Sequence, residues 1–350
     1  MEEVVDLHRR VFGKRAPRQE LEGFLTRIFF DHPWGEEAFP SLAYVGASGR
    51  LVGCLGVMPR PMVFDGRAVQ AVVTHNFIVA PEQRGGLPAI QLVRAMSSAG
   101  ADLRLADENP ASRRISEALG AVTVAPRSGR WLKVFRPTGL AVHLVEERMR
   151  RWHVGPLGRA LSAASTVPDA LLRVLPGSPT RVPRIRGRDE DAGVEALLDA
   201  IQRHTSHLKL RPVYTRKSLG WLLETLAATR QGQVLRARIV HADGEPRGWY
   251  IYYSRPGAVG RVLQLGGAPA SRSMVLDHLF ADAARERNLG LSGQIDPGWL
   301  HDLEAASCRL RPGRTWLVVR TSDPEIERTL GTPDAFVTRL ESEAWLHFGY

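Results

Sequence analysis

Val79-Ala80-Pro81-Glu82-Gln83-Arg84-Gly85-Gly86-Leu87-Pro88-Ala89 is the stretch on which the fold turns. A Val-rich strand, expected over residues 68–79, runs into it, and Pro81 ends that strand. An amphipathic helix is expected after it, over 89–99, with Ala89, Leu92, Val93 and Met96 on one face. The consecutive glycines let backbone N–H groups turn toward one point, and Pro88 near the helix start removes no donor that the helix needs. Those N–H groups and the positive helix end make an anion site, to which Arg84 adds a formal charge. A pyrophosphate is the natural ligand of such a loop between a strand and a helix.

The first half is mixed α and β around this loop. Helical spacing of Val4, Leu7, Val11 and Phe12 predicts a helix over 2–12, and Leu21, Phe24, Leu25 and Ile28 predict a second. Strands are expected at 42–45 and 51–58, joined at Ala47-Ser48-Gly49. Beyond the loop, a short strand at 103–106 precedes a helix over 110–119 that Gly120 stops. A closing hairpin is expected from 122–124 and 131–135, around Pro126-Arg127-Ser128-Gly129.

In these residues the chain resembles the GNAT acyltransferases, whose cofactor loop reads Val-x-Pro-x-x-Arg-Gly-x-Gly-x-Gly/Ala. Val79, Pro81, Arg84, Gly85 and Ala89 fit in register, while Leu87 stands where the middle glycine usually is and Gly86 supplies flexibility one position early. A second family pattern, Asn-x-x-Ala/Ser-x-x-x-Tyr-x-x-x-Gly-Phe, is met by Asn109, Ser112 and Gly120, with Ala121 in place of the Phe and Ser116 in place of the Tyr. The resemblance implies an acyl-CoA co-substrate, in the first instance acetyl-CoA. Its pantetheine arm would lie on the backbone of Phe77, Ile78 and Val79. Its phosphates would lie on Gln83, Arg84, Gly85, Gly86, Leu87, Pro88 and Ala89, with Asn109 and Ser112 closing the site. The family's first strand would precede Met1.

The implied reaction is direct attack of an amine on the thioester, where placement supplies much of the rate. His75, Asp107 and Glu108 are the candidate bases. For His75 the plainer alternative is a hydrogen-bonded core histidine, and for the carboxylates a solvated strand end. Ser116 stands at the position of the family's usual acid, but a serine hydroxyl is a far weaker acid than a phenol.

Residues 136–180 are Arg/Leu/Ala-rich and broken by Gly155-Pro156, Pro168 and Pro176-Gly177, as a helical linker. Val145, Met149 and Trp152 with interleaved arginines also fit a basic amphipathic face for an anionic lipid or carrier. The second half then repeats the order of the first. Helices are expected at 189–203 and 215–228. Strands at 234–241, 248–254 and 258–265 come next, then a helix over 273–288, a strand at 291–296, a helix over 299–310 and a strand at 315–320. Two local echoes support a duplication: Gly129-Arg130-Trp131-Leu132 with Gly313-Arg314-Thr315-Trp316-Leu317, and Gly85-Gly86-Leu87-Pro88-Ala89 with Gly266-Gly267-Ala268-Pro269-Ala270. The second loop, near Arg272, lacks the Arg-Gly-x-Gly pattern, so a degenerate repeat that shapes the acceptor pocket is expected. Tyr250, Tyr252 and Tyr253 are either packing residues or a wall of that pocket. The expected organisation is α/β with mixed sheets, in tandem GNAT-like domains: 1–136, a basic helical linker 137–180, and a degenerate second domain 181–350.

Composition bounds the partners. The chain has 350 residues, no apolar run of membrane length, an acidic N-terminus without a signal-peptide pattern and two distant cysteines, Cys54 and Cys308. A cytoplasmic protein without a metal site is expected, since His204 and His207 have no carboxylate or cysteine set near them. The net charge of +10 suits anionic partners, or simply reflects an Arg-rich composition. The expected activity is acetyl transfer to a small amine such as an amino sugar or amino acid, with no DNA partner. Two rivals remain: a Fem-type aminoacyl transferase, which would bind tRNA, and a non-catalytic acyl-CoA-binding protein, which the missing tyrosine favours.

Overall fold

The computed structural model describes residues 1–13, 17–35, 39–150, 180–229 and 232–346. The chain opens with helices α1 (Glu2–Phe12) and α2 (Arg18–Phe29), then strands β1 (Leu42–Val45), β2 (Leu51–Pro59), β3 (Met62–Phe64), β4 (Arg67–Val69) and β5 (Ala71–Val79). Helix α3 (Leu87–Ser97), β6 (Leu103–Glu108), helix α4 (Pro110–Ala118) and β7 (Val122–Thr123) follow. Next come β8 (Gly129–Val134), helix α5 (Pro137–Arg150), β9 (Arg188–Asp191), β10 (Leu210–Pro212), β11 (Val234–Ala242), β12 (Glu245–Ser254) and β13 (Val259–Gly267). The last strands are β14 (Gly290–Gln294), β15 (Arg309–Pro312) and β16 (Trp316–Thr321). Further helices are Val194–Thr205, Arg216–Thr229, Arg272–Arg285, Leu300–Ala305 and Pro324–Leu330.

Two compact units form, and neither is contiguous in sequence. The first comprises 1–128, 206–231 and 313–350; the second comprises 129–205 and 232–312. The reason is an exchange of strands. The first unit's sheet has the order β1-β2-β5-β6-β16-β7, and the second's has β15-β8-β14-β13-β12-β11-β9. β8 pairs antiparallel with β14, while β16 pairs antiparallel with β6. Each sheet has one parallel pair at the same place in its order, β5 with β6 and β13 with β14. The two echoing segments at Gly129 and Gly313 thus begin equivalent strands, each in the sheet remote from it in sequence.

The compact units do not follow the expected boundaries at 136 and 181: the chain leaves the first unit after Ser128, re-enters it over Ser206–Gln231 and rejoins it at Gly313. The expected closing hairpin is also corrected. Val122 and Thr123 pair with Val319 and Val318 of β16, whereas Trp131 pairs with Gly293 and Leu310. Arg127 anchors the crossing. Its buried guanidinium donates to the carbonyls of Leu330 (2.6 Å), Ala335 (2.5 Å), Thr332 (2.9 Å) and Val337 (3.1 Å), all in the first unit.

Most other elements appear where periodicity put them. α2 buries Leu21, Phe24, Leu25 and Ile28, a stripe at helical spacing. The long strand expected over 68–79 is instead β4 and β5, interrupted at Gln70, with β3 unforeseen before it. Asp65 and Gly66, both at positive φ, turn β3 into β4 as an Asp-Gly hairpin. In the second half, β9 starts the segment expected as a helix from 189, and the helix expected over 299–310 ends at Ala305 before β15. The lipid-facing reading of Met149 and Trp152 lies outside the described side chains. Cys54 and Cys308 are free and buried. Among the described residues no helix is long and apolar enough to cross a membrane, and no group of three or more His, Cys, Asp or Glu could hold a metal ion.

The second unit's core holds Tyr250 and Tyr252 inside a polar network. Tyr250 Oη donates to Asp189 (2.8 Å) and Tyr252 Oη to Asp282 (2.7 Å), while Arg238 and Arg236 pair with the same two carboxylates at 2.5 and 2.9 Å. His278 Nδ1 faces Asp189 at 3.3 Å, and its Nε2 lies 2.8 Å from the Arg186 carbonyl. Two arginines, His278 and two phenols hold the Asp189 and Asp282 carboxylates in place, so these tyrosines and the buried Tyr253 are packing residues, not an acceptor wall.

Candidate active site

The first unit presents a split between its two central strands. The β5–β6 ladder runs only from Ala71↔Leu103 to Val73↔Leu105, although both strands continue. On its other edge β5 stays paired with β2, but the register shifts: Cys54 opposes Ile78 and Gly56 opposes His75. An extra residue is therefore accommodated at Asn76–Phe77, a β-bulge, and Asn76 takes φ of 47°. Asn tolerates the left-handed region better than most residues, and its side chain is tied down besides. Asn76 Nδ2 donates to His75 Nδ1 (3.1 Å) and to the Leu346 carbonyl (3.0 Å).

The group that joins the split strands is Glu343, on a short helical turn Glu343–Trp345 near the C-terminus. Asn76 N donates to Glu343 Oε1 at 3.0 Å, and the backbone N–H of Asp107 on β6 also donates to this carboxyl. Burial, with Asp107 and Glu108 nearby, pushes its pKa well above the usual carboxylate range. Nothing in the sequence marks Glu343: it lies 267 residues from Asn76 and belongs to no motif.

The residues singled out from the sequence are placed as follows. His75 is buried, its ring seated over Gly56 and edge-on to Phe29 at 4.9 Å. A Cβ on Gly56 would meet that ring at 2.3 Å, so the histidine occupies space that only glycine leaves. Ser116 is also buried. Its hydroxyl donates to Glu108 Oε1 at 2.6 Å and accepts from Arg104 at 3.0 Å, so its proton is committed to a carboxylate and not offered to a cleft. Glu108 is buried with its pKa raised by desolvation, and its Oε2 has no partner among the described residues. Asp107 is half-buried beside Glu343. Asn109 caps α4, accepting from Ala111 N (2.9 Å) and Ser112 N (3.1 Å), while Ser112 Oγ donates back to the Asn109 carbonyl at 3.3 Å. Phe77, Ile78 and Val79 line β5 beyond the end of the β5–β6 ladder.

The loop after β5 has the form its sequence predicts. Ala80 N donates to the Val52 carbonyl at 2.8 Å, and Pro81–Gln83 make a single 3-10 turn. Gly85 then takes φ of 80°, and Gly86 precedes α3, which starts Leu87-Pro88-Ala89. Gln83, Arg84 and Gly86 use their N–H groups inside the turn, so the donors left to an anion are those of Gly85, Leu87, Ala89 and the next residue of the first helical turn. Arg84 is exposed beside them. Replacing Gly85 with Val forces a branched residue into the left-handed region, and we expect acyl-CoA affinity by calorimetry to fall tenfold or more while the sheet stays folded.

The second unit begins the same turn and then departs. Ala268 N donates to Arg247 O, Ser271 N to Ala268 O, and Pro269–Ser271 form the matching 3-10 turn. The helix starts at once at Arg272, with no glycine pair between. Arg272 is itself taken up by the Gly298 carbonyl and by the Trp299 ring, 5.6 Å away. On β13 the Trp249 indole lies across Gly266, where a Cβ would meet it at 2.0 Å, and His204 stacks on that indole. Among the described residues, a glycine pair separates the 3-10 turn from the following helix in the first unit and not at the matching turn of the second.

No protein-family model and no curated protein sequence matches the chain. Solved structures do match in fold. A GCN5-related N-acetyltransferase from Anabaena variabilis superposes with a TM-score of 0.57 at 14% identity, over 92% of this chain and 70% of that one. Saccharomyces cerevisiae N-myristoyltransferase with bound myristoyl-CoA gives 0.54 at 13%, over 91% and 74%. A GCN5-related N-acetyltransferase from Kribbella flavida gives 0.54 at 14%, over 92% and 69%. The fold is GNAT-like and tandem, as expected.

Proposed function

We propose that this protein is an acyl-CoA-dependent N-acyltransferase that moves an acetyl group to a small amine, and that the first unit alone does the chemistry. The observation that carries the reading is the pairing of a split between β5 and β6 with a glycine loop at the head of α3, present in one unit and lost from the other. Similar folds in proteins described as N-acetyltransferases and as holding myristoyl-CoA support it. A cytoplasmic setting belongs to the same reading.

In this reading the loop donors of Gly85, Leu87 and Ala89 hold the pyrophosphate, with Arg84 beside them. The backbone of Phe77, Ile78 and Val79 aligns the pantetheine. Ser116 does not act as the acid. Glu343 takes that part: its neutral carboxyl gives its proton to the departing thiolate, and the carboxylate left behind takes one proton from the newly acylated nitrogen. One proton leaves the amine and one reaches the thiol, so Glu343 ends as it began. Burial raises its pKa and so favours the protonated form, the state the first transfer needs.

Acetyl-CoA is the test. Mass action gives about 2.7 kcal/mol of stabilisation at a hundredfold excess over the dissociation constant. We expect a rise in melting temperature with acetyl-CoA and release of free thiol when amines are added. No stabilisation removes the reading. Stabilisation without thiol release from any amine leaves the acyl-CoA-binding protein, the reading that the committed Ser116 hydroxyl favours. Tight, salt-sensitive tRNA binding in place of either points to aminoacyl transfer.

A further inference from the structure

A second polar cluster in the first unit has donors with nothing to bind. Arg60, at the end of β2, is 4% exposed, and His32, after α2, is 6% exposed. Arg60 NH2 donates to the Leu340 carbonyl (2.7 Å) and more weakly to Tyr214 Oη (3.4 Å). Its NH1 is buried and has no partner among the described residues, and neither ring nitrogen of His32 has one. The guanidinium sits 4.7 Å from the Trp34 ring centroid and 5.7 Å from that of Tyr214, and the His32 ring is 6.1 Å from Trp34. Trp34 meets Trp221 edge-on at 5.6 Å, and both are half-buried.

A buried guanidinium requires an anion or a full set of acceptors. The Glu341 carboxylate is engaged by other donors. Tyr214 Oη donates to it, and its other oxygen accepts from Thr338 N (2.8 Å) and Thr338 Oγ1 (2.5 Å). We propose that Arg60 and His32 form an organic-anion subsite that takes the carboxylate of the acceptor, with Trp34 and Trp221 flanking its apolar part. That the anion belongs to the acceptor rests on the acyltransfer reading; the subsite itself does not.

The chemistry selects a carboxylate over a phosphate. Arg60 is the one formal cation, and burial, aided by the charge of Arg60 and opposed by its own backbone, lowers the pKa of His32, which disfavours a second charge there. A planar monoanion between a guanidinium edge and an imidazole N–H is matched in charge, whereas a phosphate dianion is left with a surplus. The subsite is tied to the split. The Leu340 carbonyl that Arg60 holds also accepts from Trp345 Nε1 at 3.1 Å, and the same segment carries Glu343 and Leu346 to Asn76.

The full chain is titrated by calorimetry with benzoate, glutarate and inorganic phosphate, with and without CoA. Carboxylates should bind and phosphate should not. Arg60→Met should weaken carboxylate binding at least tenfold, and His32→Gln severalfold. In turnover, Arg60→Met should raise KM for carboxylate-bearing amines by a similar factor and leave KM for acetyl-CoA unchanged. Tighter binding of phosphate than of carboxylate overturns the assignment. So does an absence of any anion binding, which leaves a buried water as the partner. If Arg60→Met does not fold, carboxylate affinity in His32→Gln decides: an unchanged value sinks the proposal. Carboxylate binding without acetyl-CoA binding would retain the subsite and remove the acyltransfer reading; the converse would do the opposite.

Discussion

Glu343→Gln lowers turnover by about 10²- to 10⁴-fold, the usual range for losing one proton-transfer group, and leaves acyl-CoA affinity unchanged. A glutamine oxygen can still accept from Asn76 N and Asp107 N, so the clamp between β5 and β6 survives while the transferable proton does not. Glu343→Ala behaves differently: two buried N–H groups lose their acceptor, at about 1–3 kcal/mol each, and stability falls with activity. The pH dependence separates proton transfer from a purely structural part. The pKa of Glu343 is raised on folding, so its contribution to stability is complete below the unfolded value of about 4.3 and is lost as pH rises through the folded value. The glutamine variant lacks that loss, so its stability relative to the native chain improves with pH by up to about 1.4 kcal/mol per pH unit within that window. Asp107 and Glu108 on β6 face the same carboxyl and raise its pKa further, and His75 stands next to Asn76 on β5. Equal turnover in Glu343→Gln, with an unaltered pH–rate profile, would exclude the proton role.

Arg127→Met destabilises the first unit by about 4 kcal/mol in chemical denaturation. The substitution keeps most of the apolar stem and removes every donor. Four carbonyls between Leu330 and Val337 then lose a charged partner, and hydrogen bonds to charged groups contribute about 1.5–3 kcal/mol each before the loop relaxes. Arg127→Lys recovers only part, because one ammonium cannot reproduce the fork that reaches several carbonyls at once. The loss should fall on the segment after β16, detectable as faster amide exchange there than in β11 and β12. A change below about 1 kcal/mol would show that the carbonyls find water at no cost.

Much of this architecture was legible because it is local. The stripe of α2, the strand-loop-helix at 79–89 and the Asn109 cap depend on residues within a turn or two of one another. The repeated order of elements was legible for the same reason. The misreadings had nonlocal causes. Residues 122–135 have the pattern of a hairpin, two short apolar runs around Pro126-Arg127-Ser128-Gly129, yet their pairing partners lie about 160–200 positions away, at Gly293 and at Val318 and Val319. His75 fits a base from its chemistry and its strand, but its burial against Gly56 and Phe29 could not be read from either. Ser116 was identified by its position in a motif, and its hydrogen bonds to Glu108 and Arg104 are visible only when α4 is packed on β6.

By itself the sequence determined the backbone form of the loop between β5 and α3, since φ of 80° at Gly85 and a proline in the first turn of α3 are properties of the residues in place. It also determined which unit lacks that loop. Tertiary structure alone decided what fills the split. Glu343, Leu346 and Leu340 come from the far end of the chain to Asn76, Asp107 and Arg60, and no periodicity or spacing encodes a contact across more than 230 residues. Backbone conformation is fixed by neighbours a few residues apart, whereas the protonation and partners of a buried carboxyl depend on whichever groups the folded chain brings around it.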